Sequence, residues 1–186
     1  MTAALALDCM DAIGGIKSAY ILAGEITSYT EATGEITALV GTGDFFEIDL
    51  PKDTAFYSET ITIAPANGTV FYQGVLTIIL QKLTAAKRNQ ILLLAQNRDL
   101  RIVFIDNNNT TYIMGLTRGS VMSGGTIQTG TALGDLSGYN LTFQSQEPQS
   151  IFPLDDTLVN VVSGINVVNA SSAPTTTTAP TTTAPA

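Results

Sequence analysis

The most constraining feature of this chain is a pair of long runs joined by four residues. From Ala55 to Ile63, Phe56, Ser58, Thr60 and Thr62 alternate with Ala55, Tyr57, Glu59, Ile61 and Ile63. A period of two marks a half-buried strand. Residues 69–81 follow as an apolar run rich in β-branched and aromatic residues, which pack well on a pleated surface. Pro65-Ala66-Asn67-Gly68 between them is a turn signal, because Asn-Gly tolerates positive φ. The two runs predict an antiparallel hairpin with strands longer than is usual in a globular protein. A core of this size does not cover them fully. The part near Pro65–Thr69 is therefore expected to project and to pair its backbone with an adjacent copy.

The segment after the hairpin changes character. Residues 84–96 are rich in Ala, Leu, Gln, Lys and Arg, which lose little rotamer freedom in a helix. Thr84 is placed to cap this helix and Gln96-Asn97 to end it. Ile91, Leu94 and Ala95 share one face, widened by Leu92 and Leu93, and this face is expected to be largely buried over a sheet. Further strands are expected at 16–22, 36–40, 45–50, 100–106, 110–115, near 126–133 and at 138–145. Residues 24–35 read as a loop, Gly41–Asp44 as a turn, and Asn107-Asn108-Asn109 as a hairpin turn. The predicted fold class is mainly β: a β-sandwich or open barrel with a long hairpin, one flanking α-helix and an extended C-terminal arm. Four segments follow: an N-terminal arm (1–13), the β domain (14–147), a C-terminal arm (148–169) expected to lie on a neighbour, and a Thr/Pro-rich tail (170–186) with no large apolar residue to build a core.

Charged residues make up only 13% of the chain, a low density for the surface of a soluble monomer. Either partner subunits cover much of the surface or Thr, Asn and Ser supply its polarity; the first reading is preferred. The net charge of −8 argues against a protein that grips nucleic-acid phosphates, but not against a surface that DNA slides past. The charge is also unevenly placed. Residues 61–120 hold six of the eight bases, whereas residues 1–60 hold ten acids and two bases. Lys82, Lys87 and Arg88 make a small basic patch, read either as a solvated helix end or as a contact for the acidic 25–59 region of another copy.

Catalytic chemistry finds little purchase. The chain has no His to activate Ser, Thr or the single Cys9, and this composition disfavours zinc and disulfide roles. Asp155-Asp156 and the acids Asp44, Glu47 and Asp49 read as solvated surface. Asp106–Asn109 lacks the alternating spacing and closing Glu of a calcium loop. Ser123–Gly125 and Gly130–Gly134 are Gly-rich but carry no phosphate-loop Lys. The expectation is no enzyme, no cofactor and no metal. No apolar run reaches membrane-spanning length, and Ala3–Leu7 lacks the basic flank of a signal peptide, so no membrane partner is expected.

The order of strands, long hairpin, single helix, second hairpin, Gly/Thr-rich segment and closing strand spans residues 14–146. Through the hairpin Thr60–Leu80, the helix Thr84–Gln96 and the segment Gly124–Phe143, it resembles phage tail tube proteins and the Hcp-like proteins of type VI secretion. The resemblance implies a virion structural protein, assembled in the host cytoplasm, whose copies form hexameric stacked rings. Its partners would be itself, other virion proteins, and DNA passing through without specific binding. It further implies a lumen wall that includes Ser58, Thr60, Thr62 and Gln73, with few bases. Subunit contacts would include Ile61, Ile63, Pro65, Asn67, Val70, Tyr72, Lys87 and Arg88. The acids of 25–59 would lie nearer the lumen or at a ring interface opposite the bases. Two other classes stay open: a capsid decoration or head–tail joining protein, and a carbohydrate- or surface-binding β-sandwich module, which the absence of Trp disfavours.

Overall fold

The computed structural model describes residues 12–170. In chain order the elements are β1 (Ile16–Ala32), β2 (Glu35–Ile48), β3 (Ala55–Ala64), β4 (Thr69–Gln81), α1 (Ala85–Gln96), β5 (Ile102–Asp106), β6 (Thr111–Met114), β7 (Ser120–Gln128), β8 (Gly138–Glu147), β9 (Phe152–Pro153), α2 (Leu158–Val161) and β10 (Val162–Val168). They form a six-stranded sheet, β10-β2-β1-β5-β6-β9, and a four-stranded sheet, β3-β4-β8-β7. The two sheets pack as an open sandwich with one flanking helix, not as a closed barrel. Leu76, Ile78, Leu141 and Phe143 of the smaller sheet meet Ala19, Ile21, Ile102 and Phe104 of the larger one. Tyr57 joins this core, with its ring 5.0 Å from that of Phe104.

The larger sheet is apolar on both sides. Ile102 and Phe104 of β5 enter the sandwich core, whereas Val103 enters a second core with Leu22, Ile36, Leu39, Phe45 and Ile113. Leu154, Leu158, Val161 and Ile165 cover that second core. Residues 151–169, expected to lie on a neighbour, thus fold back on their own chain, and β10 pairs with β2 in parallel from Val162↔Leu39 to Val168↔Phe46. The physical reason is the apolar outer face of the six-stranded sheet, which this segment removes from water.

The predicted hairpin is present over 55–64 and 69–81, closed by a four-residue loop in which Asn67 N donates to Ala64 O. By contrast, residues 24–35 are not a loop and Gly41–Asp44 is not a turn. β1 and β2 run through both stretches as one long antiparallel ribbon. It reverses at Thr33-Gly34, both with positive φ (57° and 89°), the backbone of a tight two-residue hairpin turn. Gly24 and Gly43 face each other where the two backbones come too close for side chains; a Cβ on Gly24 would sit 1.9 Å from Thr42 O. The strand expected near 126–133 lies instead at Ser120–Gln128, ahead of a loop. Asn107 and Asn108 do form a turn, and their side chains also bond the backbone of Ile13 and Gly14. Residues 1–11, with Cys9, and 171–186 of the Thr/Pro tail lie outside the described residues.

Helix α1 starts as expected, with Thr84 Oγ1 accepting from Lys87 N. Its contact with the core is narrower than the sequence pattern suggests. Ile91 is buried and Leu94 is half-buried beside it, but Ala95 is exposed, and Leu92 and Leu93 are 50% and 60% exposed. The helix rests on one stripe, so the wide apolar face does not all turn inward. Ile91→Ala should therefore cost about 2–5 kcal/mol by opening a cavity. Leu93→Ala should change stability by less than about 0.5 kcal/mol. Urea denaturation of both variants checks this, and equal losses would contradict the single-stripe contact.

Candidate assembly surface

Burying one face of the four-stranded sheet fixes what the other face presents, because side chains alternate along each strand. The outward row Phe56↔Thr77↔Thr142↔Gly124 runs beside Ser58↔Val75↔Gln144↔Val121, and then Thr60↔Gln73↔Gln146. These rows contain no ionisable side chain, and they run across the width of the sheet. Phe56 is 56% and Val121 39% exposed, so the face is apolar in places as well as neutral. Ser58, Thr60, Thr62 and Gln73 all belong to this one face, with Thr60 directly opposite Gln73.

Among the described residues the outer edge of β3 has no strand partner, and that of β7 is bridged at Ser120, which exchanges backbone hydrogen bonds with Leu100. Natural edges are usually blunted by Lys, Pro or a bulge. β3 carries none of these within its ten residues, and its pairing with β4 is unbroken from Ala55 to Ala64. β7 has one register shift, between Met122 and Gly124.

The other expected contact residues divide into two places. Ile61 pairs with Tyr72, and Ile63 with Val70, on the side of the hairpin that faces the core. They run beyond it: Ile61, Ile63 and Val70 are 57%, 63% and 49% exposed, and Tyr72 is half-buried. Pro65 and Asn67 sit in the exposed turn. Lys87 and Arg88 lie apart from these on α1, where Lys87 Nζ donates to Gln81 O.

Two inward carboxylates were not singled out from the sequence. Glu59 accepts from Tyr57 Oη (3.1 Å), Ile151 N (3.1 Å) and Ser150 Oγ (2.5 Å). Glu147 accepts from Thr117 N (3.2 Å) and Arg118 N (2.9 Å). Both act as clamps on loops, and the cavity beside them measures about 10 Å³, room for about one water. Burial, and then the charge of Glu59, push the Tyr57 phenol up, keeping it a neutral donor. Burial and Glu47 act on Tyr20 in the same direction. The alternation of Glu59 with Thr60 in a strand was the available sign of its inward aim. Asp156 is tied to Thr157 N and Asn160 Nδ2, which hold its carboxyl below the usual range. Among the described residues no three His, Cys, Asp or Glu group as metal ligands, and no helix is long and apolar enough to cross a membrane. No family model, curated protein sequence or solved structure matches this chain.

The loop that follows β7 is closed by Asp135, whose carboxylate accepts from Thr131 N and Ala132 N, each at 2.8 Å. These bonds favour the ionised form and hold the carboxyl below its ordinary 3.8. The clamp is therefore complete above the ordinary value and is lost as pH falls through the lower folded value. In an acid titration followed by NMR, the Thr131 and Ala132 amides should shift with a midpoint below 3.8. Asp135→Asn should speed hydrogen exchange at both amides at neutral pH. A midpoint at or above the ordinary carboxylate value would show that the clamp is not formed.

Proposed function

We propose that this chain is a virion structural protein, a tail tube or tube-like subunit whose copies form stacked hexameric rings that conduct DNA. One observation carries the reading: a four-stranded sheet turns outward a face whose rows hold no ionisable side chain, and the outer backbone edge of β3 has no strand partner among the described residues. Each Lys or Arg on a conduit wall would form a phosphate contact and displace a counterion, slowing passage of the duplex. A wall of Thr, Ser and Gln, with Phe56, Val75 and Val121 among them, offers neutral hydrogen bonding to water and no fixed partner for phosphate. No base lies within the rows themselves, and Arg118 lines a hollow beside Val121, Gln144 and Gln146 at one end of the face. The outer edge of β3, and that of β7 beyond Ser120, supply the means by which neighbouring copies extend one sheet into the next, through backbone hydrogen bonds. The task is mechanical, and it assigns no catalytic residue and no cofactor. The site of action on this reading is the virion, after assembly in the host cytoplasm.

Electron cryo-microscopy of the assembled protein tests the reading. The expected result is a six-fold ring with Ser58, Thr60, Thr62 and Gln73 facing the bore. The double variant Thr60→Lys, Thr142→Lys should assemble but retard DNA release at low salt, with the effect fading as salt is raised. A bore lined by Lys87, Arg88, Arg98 and Arg101 would overturn the conduit. Isolated trimers or copies seated on a shell would point to the decoration or joining role instead.

A further inference from the structure

The loop between β7 and β8 holds one large apolar side chain away from the molecule. Leu133 is fully exposed. A single exposed leucine on a slack loop would mean little. This loop is not slack. The Asp135 carboxylate accepts from Thr131 N and Ala132 N, and Asp135 N donates back to Ala132 O at 3.1 Å. Gly130 has a φ of 72°, and a Cβ there would lie 2.4 Å from Cβ of Asp135, so the loop closes tightly at its base. Leu133 therefore stands on a preorganised support, with the Asp135 charge two residues away.

The opposite end of the same hairpin carries a complementary feature. β7 and β8 pair from Ser120↔Ser145 to Gln128↔Gly138. At the Ser120 end lies a hollow of about 310 Å³, whose walls include Val121, Gln144, Gln146 and Arg118. It is partly apolar and large enough to take a leucine side chain. Arg118 is exposed, and among the described residues the one ion pair is Arg101 with Asp99, so no carboxylate pairs with the Arg118 guanidinium. Glu147 is near, but it accepts from the backbone amides of Thr117 and Arg118. The knob and the hollow are separated by the nine residues of β7, roughly 25–30 Å, so they do not meet within one molecule.

We propose that Leu133 of one copy seats in the hollow beside Val121 of a second copy, bringing Asp135 of the first against Arg118 of the second. Shape and charge both select this occupant. An aliphatic knob meets a hollow with an apolar wall, and a carboxylate beside the knob meets a guanidinium beside the hollow. The contact rests on the reading that copies of the chain assemble. It joins the two ends of one hairpin, so it is heterologous and repeats head to tail along the strand direction of the smaller sheet. Pairing at the β3 edge runs across that direction, so the two contacts are independent.

Leu133→Ser and Arg118→Glu test the two halves of the contact. Both positions are exposed, and circular dichroism confirms that each variant is folded. In sedimentation velocity Leu133→Ser should self-associate at least about ten-fold more weakly than the parent, the factor carried by burial of one leucine side chain. Arg118→Glu should weaken association at low salt, with the loss fading as salt is raised. Cross-linking identifies the partner surface. Ala132→Cys and Gln146→Cys, each in a Cys9→Ser chain, should form a mixed disulfide when combined under oxidised glutathione, and neither alone should cross-link. A Leu133→Ser variant that associates like the parent overturns the contact, and six-fold rings still seen by microscopy would then leave the tube reading standing. Weakened association without the mixed disulfide would put Leu133 elsewhere and overturn the hollow as its seat. Flotation of the parent but not of Leu133→Ser with phosphatidylcholine vesicles, with association unchanged, would assign the knob to lipid and overturn the contact. A parent that never associates overturns both readings.

Discussion

The centre of the six-stranded sheet is buried on both faces, and the rest of the molecule follows from that. β5 makes it so: Ile102, Val103 and Phe104 are consecutive and all essentially buried, although they point to opposite sides. A strand with two apolar faces needs two covers. The four-stranded sheet is one and the segment from Leu154 to Ile165 is the other. Among the described residues no third layer lies over the smaller sheet, so its outward face is open there.

The sequence was most legible where a single period held over many residues. β3 alternates cleanly, β4 is a long run rich in β-branched and aromatic residues, Pro65–Gly68 separates them, and the structure reproduces both strands and the turn. Thr84 identified the start of α1 because its hydroxyl has one evident use. The β1–β2 ribbon was hidden for two physical reasons. Its turn is Thr33-Gly34, and Thr rarely occupies positive φ. Gly24, Gly41 and Gly43 lie inside its continuous strands, where glycine allows close backbone approach but in sequence looks like a break. The C-terminal segment was hidden because its buried residues belong to different elements: Leu158 and Val161 one turn apart on α2, Ile165 on β10. No single period runs through them.

The candidate surface was partly legible. Alternation alone placed Ser58, Thr60 and Thr62 together, and the hairpin register brought Gln73 to the same face. The contribution of β7 and β8 could not be read, since it depends on β8 lying between β4 and β7. The helix misled in the opposite direction. Five apolar residues in 91–95 imply a broad buried face, yet a helix on the flank of a sandwich meets it along one line, leaving Leu92 and Leu93 to the solvent side.

Those exposed leucines and the neutral sheet face bear on the same question, why so few charges suffice here. A solitary domain keeps itself dispersed with mixed charge over its surface. This chain instead places four of its eight bases, Lys82, Lys87, Arg88 and Arg98, at or beside α1, leaves Glu25 and Glu31 exposed on the β1–β2 ribbon, and presents Thr, Ser and Gln over the open sheet. Scattering the same charges evenly would lower repulsion within each patch, so folding alone gives no reason for the segregation. Segregated charge gains free energy only when the opposite patch is brought against it, and within one molecule the six-stranded sheet keeps the two apart. The arrangement is the one expected on the proposed reading, in which other copies complete the surface.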